Sequence, residues 1–377
     1  MHLYFHIPFC KQACHYCDFY FSTNKDLKSQ LVASICKEIS IQKDYLKNKK
    51  IQTIYFGGGT PSLLSQTELN SIFEALTIYY DLSNLKEITF EANPDDISKE
   101  NIKIWKKFGI NRISLGVQTF SDTILKFMNR PHTGLEAKNA LNDLQAAGIE
   151  NISMDLIYSI FNMEGIESEK TLQSDLQIAL NFNLPHISAY SLTIEEKTVF
   201  GKWAKKDKII PLDEDSSASQ YEILVSSLTN NGYEQYEVSN FAKNNQYAIH
   251  NTSYWLNQEY LGIGPSAHSY NLLSRQANIA NNNKYIKCVE NNTPFFEIEN
   301  LSNIEKANDM ILCGLRTKWG LDIKKISQII GDFSPTTWDK IEYYRKNGQI
   351  VLKDDVITIS KSGRIFSDKI ASDLFFE

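Results

Sequence analysis

Short apolar runs recur along the first half of the chain, each followed by a loop and then by an amphipathic stretch. Candidate strands fall at 3–7, 51–56, 87–91, 112–117, 152–157 and 186–192, and helical periodicity fills the gaps at 27–46, 66–79, 98–108, 134–147 and 169–182. Strand starts lie roughly 25–50 residues apart, the spacing at which a helix connects parallel strands. Gly109 and Gly148 stand where two of these helices should stop. Six strand–helix units predict an α/β fold, either an open, partial (β/α)6 barrel or a doubly wound sheet. Both architectures gather ligands at the carboxyl ends of their strands.

Unusual residues collect at those ends. Cys10-Lys11-Gln12-Ala13-Cys14-His15-Tyr16-Cys17 follows the first strand and Gly57-Gly58-Gly59-Thr60-Pro61 the second. Glu91 ends the third and Gln118 the fourth, Asp155 sits on the fifth, and Tyr190 lies near the end of the sixth. From about residue 205 the pattern changes. A stretch at 206–300 holds His250-Asn251-Thr252-Ser253-Tyr254-Trp255 and a Gly-rich loop with His268. Residues 301–377 read as a smaller, mostly helical module with a hairpin at 350–352 and 356–359, a winged-helix-like pattern. The expected division is therefore 1–205, 206–300 and 301–377.

Composition narrows the function classes. Of 377 residues, 39 are basic and 45 acidic, a net charge of -6, which argues against a protein that grips nucleic acid by its phosphates. No apolar run is long enough to span a bilayer, and the start lacks the basic and apolar segments of a secretory signal. A cytoplasmic protein is the expectation.

Three of six cysteines crowd between positions 10 and 17, a pattern that reads as metal ligation. A cubane cluster on three thiolates keeps one iron open, and an open iron can chelate the amino and carboxylate groups of S-adenosylmethionine. Reduction of the sulfonium then breaks a carbon–sulfur bond. The competing readings are a zinc site with His15 or His6 as fourth ligand, or structural cysteines. Zinc sites usually pair two CxxC units, and no second pair exists. The glycine run matches neither GxxxxGK[ST] nor GxGxxG, so a methionyl-binding turn or a plain structural turn is expected. Glu91, Gln118, Arg130 and Asp155 suit an adenosine ligand as a group, while each alone could cap or pair within the fold. His250 with Tyr254 and Trp255 could flank haem, against a purely structural histidine.

These residues resemble the radical S-adenosylmethionine coproporphyrinogen oxidase-like family. The resemblance rests on Cys10, Cys14 and Cys17, on Gly57 to Pro61, on Gly116-Val117-Gln118 and on Asp155-Leu156-Ile157-Tyr158. It covers nearly the whole chain and implies the partial radical-SAM barrel. His250 to Trp255 resembles the HNxxYW motif of the family's haem-chaperone branch. The oxidases of the family carry a further cysteine where this chain has Phe19. The resemblance thus implies a 4Fe-4S cluster on Cys10, Cys14 and Cys17, with S-adenosylmethionine and haem as further cofactors. It implies delivery of haem to recipient haem proteins such as respiratory enzymes, often at the membrane surface and often as a homodimer. The alternative is oxygen-independent coproporphyrinogen III oxidation by radical decarboxylation. Carried over residue by residue, the S-adenosylmethionine contacts are Tyr4, Gly58, Gly59, Thr60, Glu91, Gln118, Arg130, Asp155 and Ala189, and the haem motif gives His250, Tyr254 and Trp255. One departure stands out: the family's Gly-Leu-Pro-like turn is replaced by Ser159-Ile160-Phe161-Asn162-Met163.

Overall fold

Along the first six strands polar and apolar side chains alternate, and the alternation sorts them onto two faces of one sheet. The computed structural model describes residues 1–161 and 166–377. Its first strands are β1 (His2–Ile7), β2 (Thr53–Gly58), β3 (Glu87–Ala92), β4 (Arg112–Gln118), β5 (Asn151–Tyr158) and β6 (His186–Ser191). Leu3, Phe5, Ile54, Phe56, Phe90, Leu115 and Met154 point outward into the main core. The opposite face carries His2, Tyr4, Thr53, Tyr55, Glu87, Glu91, Arg112, Asp155 and His186, and the register places these side by side across the strands.

All six strands are parallel and stand in sequence order without a reversal. Right-handed crossovers then put every connecting helix on one face, which leaves the polar face as the inside of a partial barrel. A doubly wound sheet needs a reversal of strand order and is excluded. The first eight helices are α1 (Lys28–Ile41), α2 (Gln66–Tyr79), α3 (Lys99–Lys107), α4 (Asp122–Phe127), α5 (Gly134–Ala146), α6 (Ser168–Asn181), α7 (Val199–Ala204) and α8 (Glu214–Asn230). Ser65 with Glu68, and Thr133 with Glu136, form reciprocal caps that start α2 and α5. The expected helix at 27–46 ends early because the chain turns after Ile41, with Tyr45 N–H bonding to Gln42 O, and this tucks Leu46 into the core.

The sheet continues past both edges. Beyond β6 lie β7 (Glu234–Gln235) and β8 (Asn240–Ala242), and α9 (Ile249–Trp255) follows. Beyond β1 lie β9 (Tyr260–Ile263), β10 (His268–Tyr270), β11 (Ser274–Asn278) and, after α10 (Asn282–Glu290), β12 (Phe296–Asn300). Among the described residues this makes twelve strands in one sheet.

The C-terminal part has its own core, built on Ile311, Leu315, Ile326, Ile341 and Ile357. It comprises α11 (Asn303–Leu315), β13 (Leu321–Asp322), α12 (Ile323–Ile330), α13 (Pro335–Lys346), β14 (Ile350–Lys353), β15 (Val356–Ile359) and α14 (Ser367–Asp373). The hairpin turns on Asp354 and Asp355 at φ 52° and 63°, the paired left-handed residues that match the twist of two strands.

Candidate functional site

A cavity of about 390 Å3 opens at the carboxyl ends of the barrel strands. The loop after β1 delivers Cys10, Cys14 and Cys17 to its wall, none of them in a disulfide. Backbone bonds hold that loop in shape, with Cys10 N–H on Ser22 O, His15 N–H on Met128 O and Cys17 N–H on Cys14 O. The second loop adds Gly58, Gly59 and Thr60, β3 adds Glu91, the β4 end adds Gln118, the turn after α4 adds Arg130, and β5 adds Asp155. Ten of the expected cofactor and cluster residues thus meet in one cavity. Tyr4 and Ala189 are not among its lining side chains. The Tyr4 hydroxyl lies 3.1 Å from His6 Nδ1, and Ala189 belongs to the outward-facing core.

The glycine run is required sterically. Gly58 adopts φ +105°, and a Cβ there would come within 2.6 Å of the His6 ring. Such backbone is open to glycine alone without strain. The β2 strand accordingly runs two residues past its expected end, because Gly57 and Gly58 still pair with His6 and Ile7. Gln118 sits at φ 69° beside a break in the β4–β5 register, which turns its side chain into the cavity.

Electrostatics suit a charged ligand. Burial pushes the Cys17 thiol up to about 11 and raises Cys10 as well, so these thiols keep their protons until a metal displaces them. Burial lifts the Glu91 carboxyl to about 7, against the hydrogen bonds from Tyr55 O–H at 2.7 Å and Gly58 N–H at 3.1 Å. Asp155 is lifted by burial to about 6, and Ser114 Oγ donates to it at 3.2 Å. Arg130 stays a cation: burial opposes its charge, but Tyr16 and Cys14 more than offset this. Its Nε is a buried donor without a partner among the described residues, which suits a wall waiting for a ligand's acceptor.

The donor set fits a cluster better than a single ion. Among the described residues no group of three His, Cys, Asp or Glu side chains is gathered closely enough to hold one metal ion. A cubane asks for less convergence, because each thiolate takes its own iron. The zinc alternative gains no support from its two histidines: neither His15 nor His6 lines the cavity with the cysteines, the His15 ring packs against Trp203 and Phe200, and His6 spends both nitrogens on Tyr4 and Tyr20 O.

The haem motif lies elsewhere. His250, Tyr254 and Trp255 sit on α9, outside the cavity lining. His250 is fully buried, and both ring nitrogens are engaged: Nδ1 by Thr53 Oγ1 and Nε2 by the Tyr254 hydroxyl, each at 2.7 Å. In this structure His250 therefore does not fit the role of a haem iron ligand. Of the departing turn, Ser159 adopts φ 56° and bonds to Gln220, and Ile160 and Phe161 are buried, while Asn162 and Met163 lie outside the described residues. Tyr55 and Ser114 also line the cavity and were missed from the sequence. Their strictly alternating polar positions on β2 and β4 were the available signal.

A radical SAM superfamily profile matches residues 4–173. The chain is 37% identical to the haem chaperone HemW of Lactococcus lactis, over 85% of this chain and 83% of that one. It is 35% identical to the haem chaperone HemW of Bacillus subtilis, over 87% and 86%. In fold it is similar to coproporphyrinogen III oxidase HemN from Escherichia coli, with TM-score 0.84 and 19% identity over 99% of this chain and 89% of that one. At that identity the likeness speaks to the fold, and the sequence relatives speak to the branch. The chain belongs to the HemW family of the radical SAM superfamily.

Proposed function

We propose that this chain is a haem chaperone that holds a 4Fe-4S cluster on Cys10, Cys14 and Cys17, binds S-adenosylmethionine in the barrel cavity, and passes haem to recipient haem proteins such as respiratory enzymes. The observation that carries the reading is the pairing of that cavity with relatives named haem chaperones over most of the chain's length. Family membership itself implies the cluster and the sulfonium cofactor.

The chain's own residues have clear parts to play. Cys10, Cys14 and Cys17 would hold the cluster by their thiolates, three protein ligands that would leave it open to the cofactor. Gly58 and Gly59 keep the backbone low enough for a ligand to approach. Glu91 and Asp155, once ionised, accept from the ligand's ammonium or hydroxyl groups. Arg130 balances thiolate charge beside Cys14. When bound, the cluster supplies one electron to the cofactor it chelates. Phe19 is 73% exposed at the cavity mouth and offers an apolar face where the oxidase branch of the family carries another thiol.

Among the described residues no helix is long and apolar enough to cross a membrane, so the contact we propose with membrane-bound recipients is peripheral. The test is anaerobic reconstitution followed by haem titration and mixing with an apo haem protein. Saturable haem uptake and transfer are expected. No saturable uptake, or decarboxylation of coproporphyrinogen III by the reconstituted chain, would overturn the reading in favour of an oxidase or another radical enzyme.

A further inference from the structure

The segment His250 to Trp255 is planted on the floor of the barrel. Glu87, on the inner face of β3, accepts the backbone N–H of Ile249 at 2.8 Å and of His250 at 2.9 Å. These two bonds satisfy donors at the start of α9 that the helix itself cannot. Beyond His250, a chain of polar contacts runs through Thr53 Oγ1 to His2 Nδ1 at 2.8 Å, and from His2 Nε2 to Gln258 Oε1 at 2.7 Å. The Gln258 carbonyl can only accept, so His2 Nε2 donates and its Nδ1 accepts from the Thr53 hydroxyl. His250 Nδ1–H must then donate to Thr53, and the Tyr254 hydroxyl donates to His250 Nε2. Every polar atom on both rings is occupied, and the imidazole has one orientation.

That fixed ring lies against the cavity wall. Its centroid is 5.1 Å from that of Tyr55, and Tyr55 lines the cavity and donates its hydroxyl to Glu91 Oε1 at 2.7 Å. Space there is tight: a Cβ on Gly57 would meet the Tyr55 ring at 2.8 Å and Glu91 Oε1 at 2.9 Å. Tyr55 thus has His250 on one side and the backbone of Gly57 on another.

We infer that His250 is a positioning residue for the cavity, which sets Glu91 for the cofactor through Tyr55. Tyr55 keeps its hydroxyl on Glu91 because the imidazole cannot rotate away, and Glu91 is thereby held in one place for the ligand's cationic group. The inference rests on the reading of the cavity as the S-adenosylmethionine site and extends it to a motif that lies outside the lining.

The experiment is a double-mutant cycle on the full-length, anaerobically reconstituted protein, with S-adenosylmethionine affinity read by calorimetry from pH 6 to 8.5. His250→Ala and Tyr55→Phe should each weaken binding about tenfold, the size of one hydrogen bond to a charged group. The double variant should be no weaker than either single one. In both single variants the pH below which binding fades should move upward, since Glu91 has lost the donor that favours its charged form. If His250→Ala fails to fold, His250→Gln replaces it, keeping a donor and an acceptor for Thr53 and Tyr254 but taking the ring from beside Tyr55. Equal affinity in wild type and variant, or losses that multiply to about a hundredfold, would overturn the inference alone. No uptake by the wild-type chain would overturn the reading of the cavity and the inference with it.

Discussion

Arg130 Nη1 lies 3.5 Å from the sulfur of Cys14, while Nη2 donates to Asn93 Oδ1 at 2.6 Å and to the Gly116 carbonyl at 2.7 Å. One guanidinium therefore ties the cluster loop to the ends of β3 and β4, and it does so with a charge that thiolates need. The planar fork makes this possible, since a lysine ammonium could not serve three directions at such fixed angles.

Arg130→Gln should lower the midpoint potential of the cluster by about 60 mV, because removal of a nearby cation favours the oxidised state and 59 mV is one factor of ten for one electron. Potentiometric titration followed by electron paramagnetic resonance reads this directly. An unchanged potential would show that the arginine acts only as a mechanical tie.

Glu38 provides a test of the fold beneath the site. It is fully buried and accepts from Gly264 N–H at 2.8 Å, from Asn278 Nδ2 at 2.7 Å and from the Tyr285 hydroxyl. Burial raises its carboxyl from 4.5 to about 7. A raised carboxylate binds its proton more tightly when folded, so its contribution is full below about 4.5 and is lost as pH rises through about 7. Glu38→Gln should therefore flatten the fall in melting temperature between pH 5 and 7.5. Glu38→Ala, which strands those donors, should cost about 3 kcal/mol below pH 5 and less as pH rises through about 7. Thermal melts of the three proteins decide it.

Of the histidines, His268 alone is solvent-exposed, on β10, whereas His250 is sealed. Haem titrations should then separate the two. His268→Ala should weaken haem uptake about tenfold or more and change the Soret band, a loss typical of removing one ligand interaction. His250→Ala should retain the wild-type haem spectrum. The opposite pattern would mean that α9 opens when haem arrives.

Much of this architecture was legible in the sequence for local reasons. Six strand–loop–helix units, the cysteine loop and the glycine run each announce themselves within a few residues, and the barrel cavity brings together the residues at the strand ends. The extension β9–β12 was not legible. Strands β10 to β12 are short, polar and partly solvent-exposed, and β9, though buried, is only four residues long and pairs with β1 from the far side of the sequence. The burial of His250 was equally hidden, because its partner Thr53 is 197 positions away. Read alone, a histidine among aromatics resembles a ligand; only the tertiary contacts show both nitrogens taken. The alternation of polar residues on β1–β6 was present all along. It departs from the continuous apolar runs of most parallel strands, and it marks an interior built for a charged ligand.

The central claim is that three thiolates hold a cluster with one iron left open. The most direct measurement is iron and sulfide content after anaerobic reconstitution, with Mössbauer spectra taken before and after S-adenosylmethionine is added. The account predicts four irons and four sulfides per chain, one iron site whose signal shifts with the cofactor, and no cluster when Cys10, Cys14 and Cys17 are changed to alanine. A wild-type chain that takes up no cluster, or a triple variant that takes up as much, would contradict it.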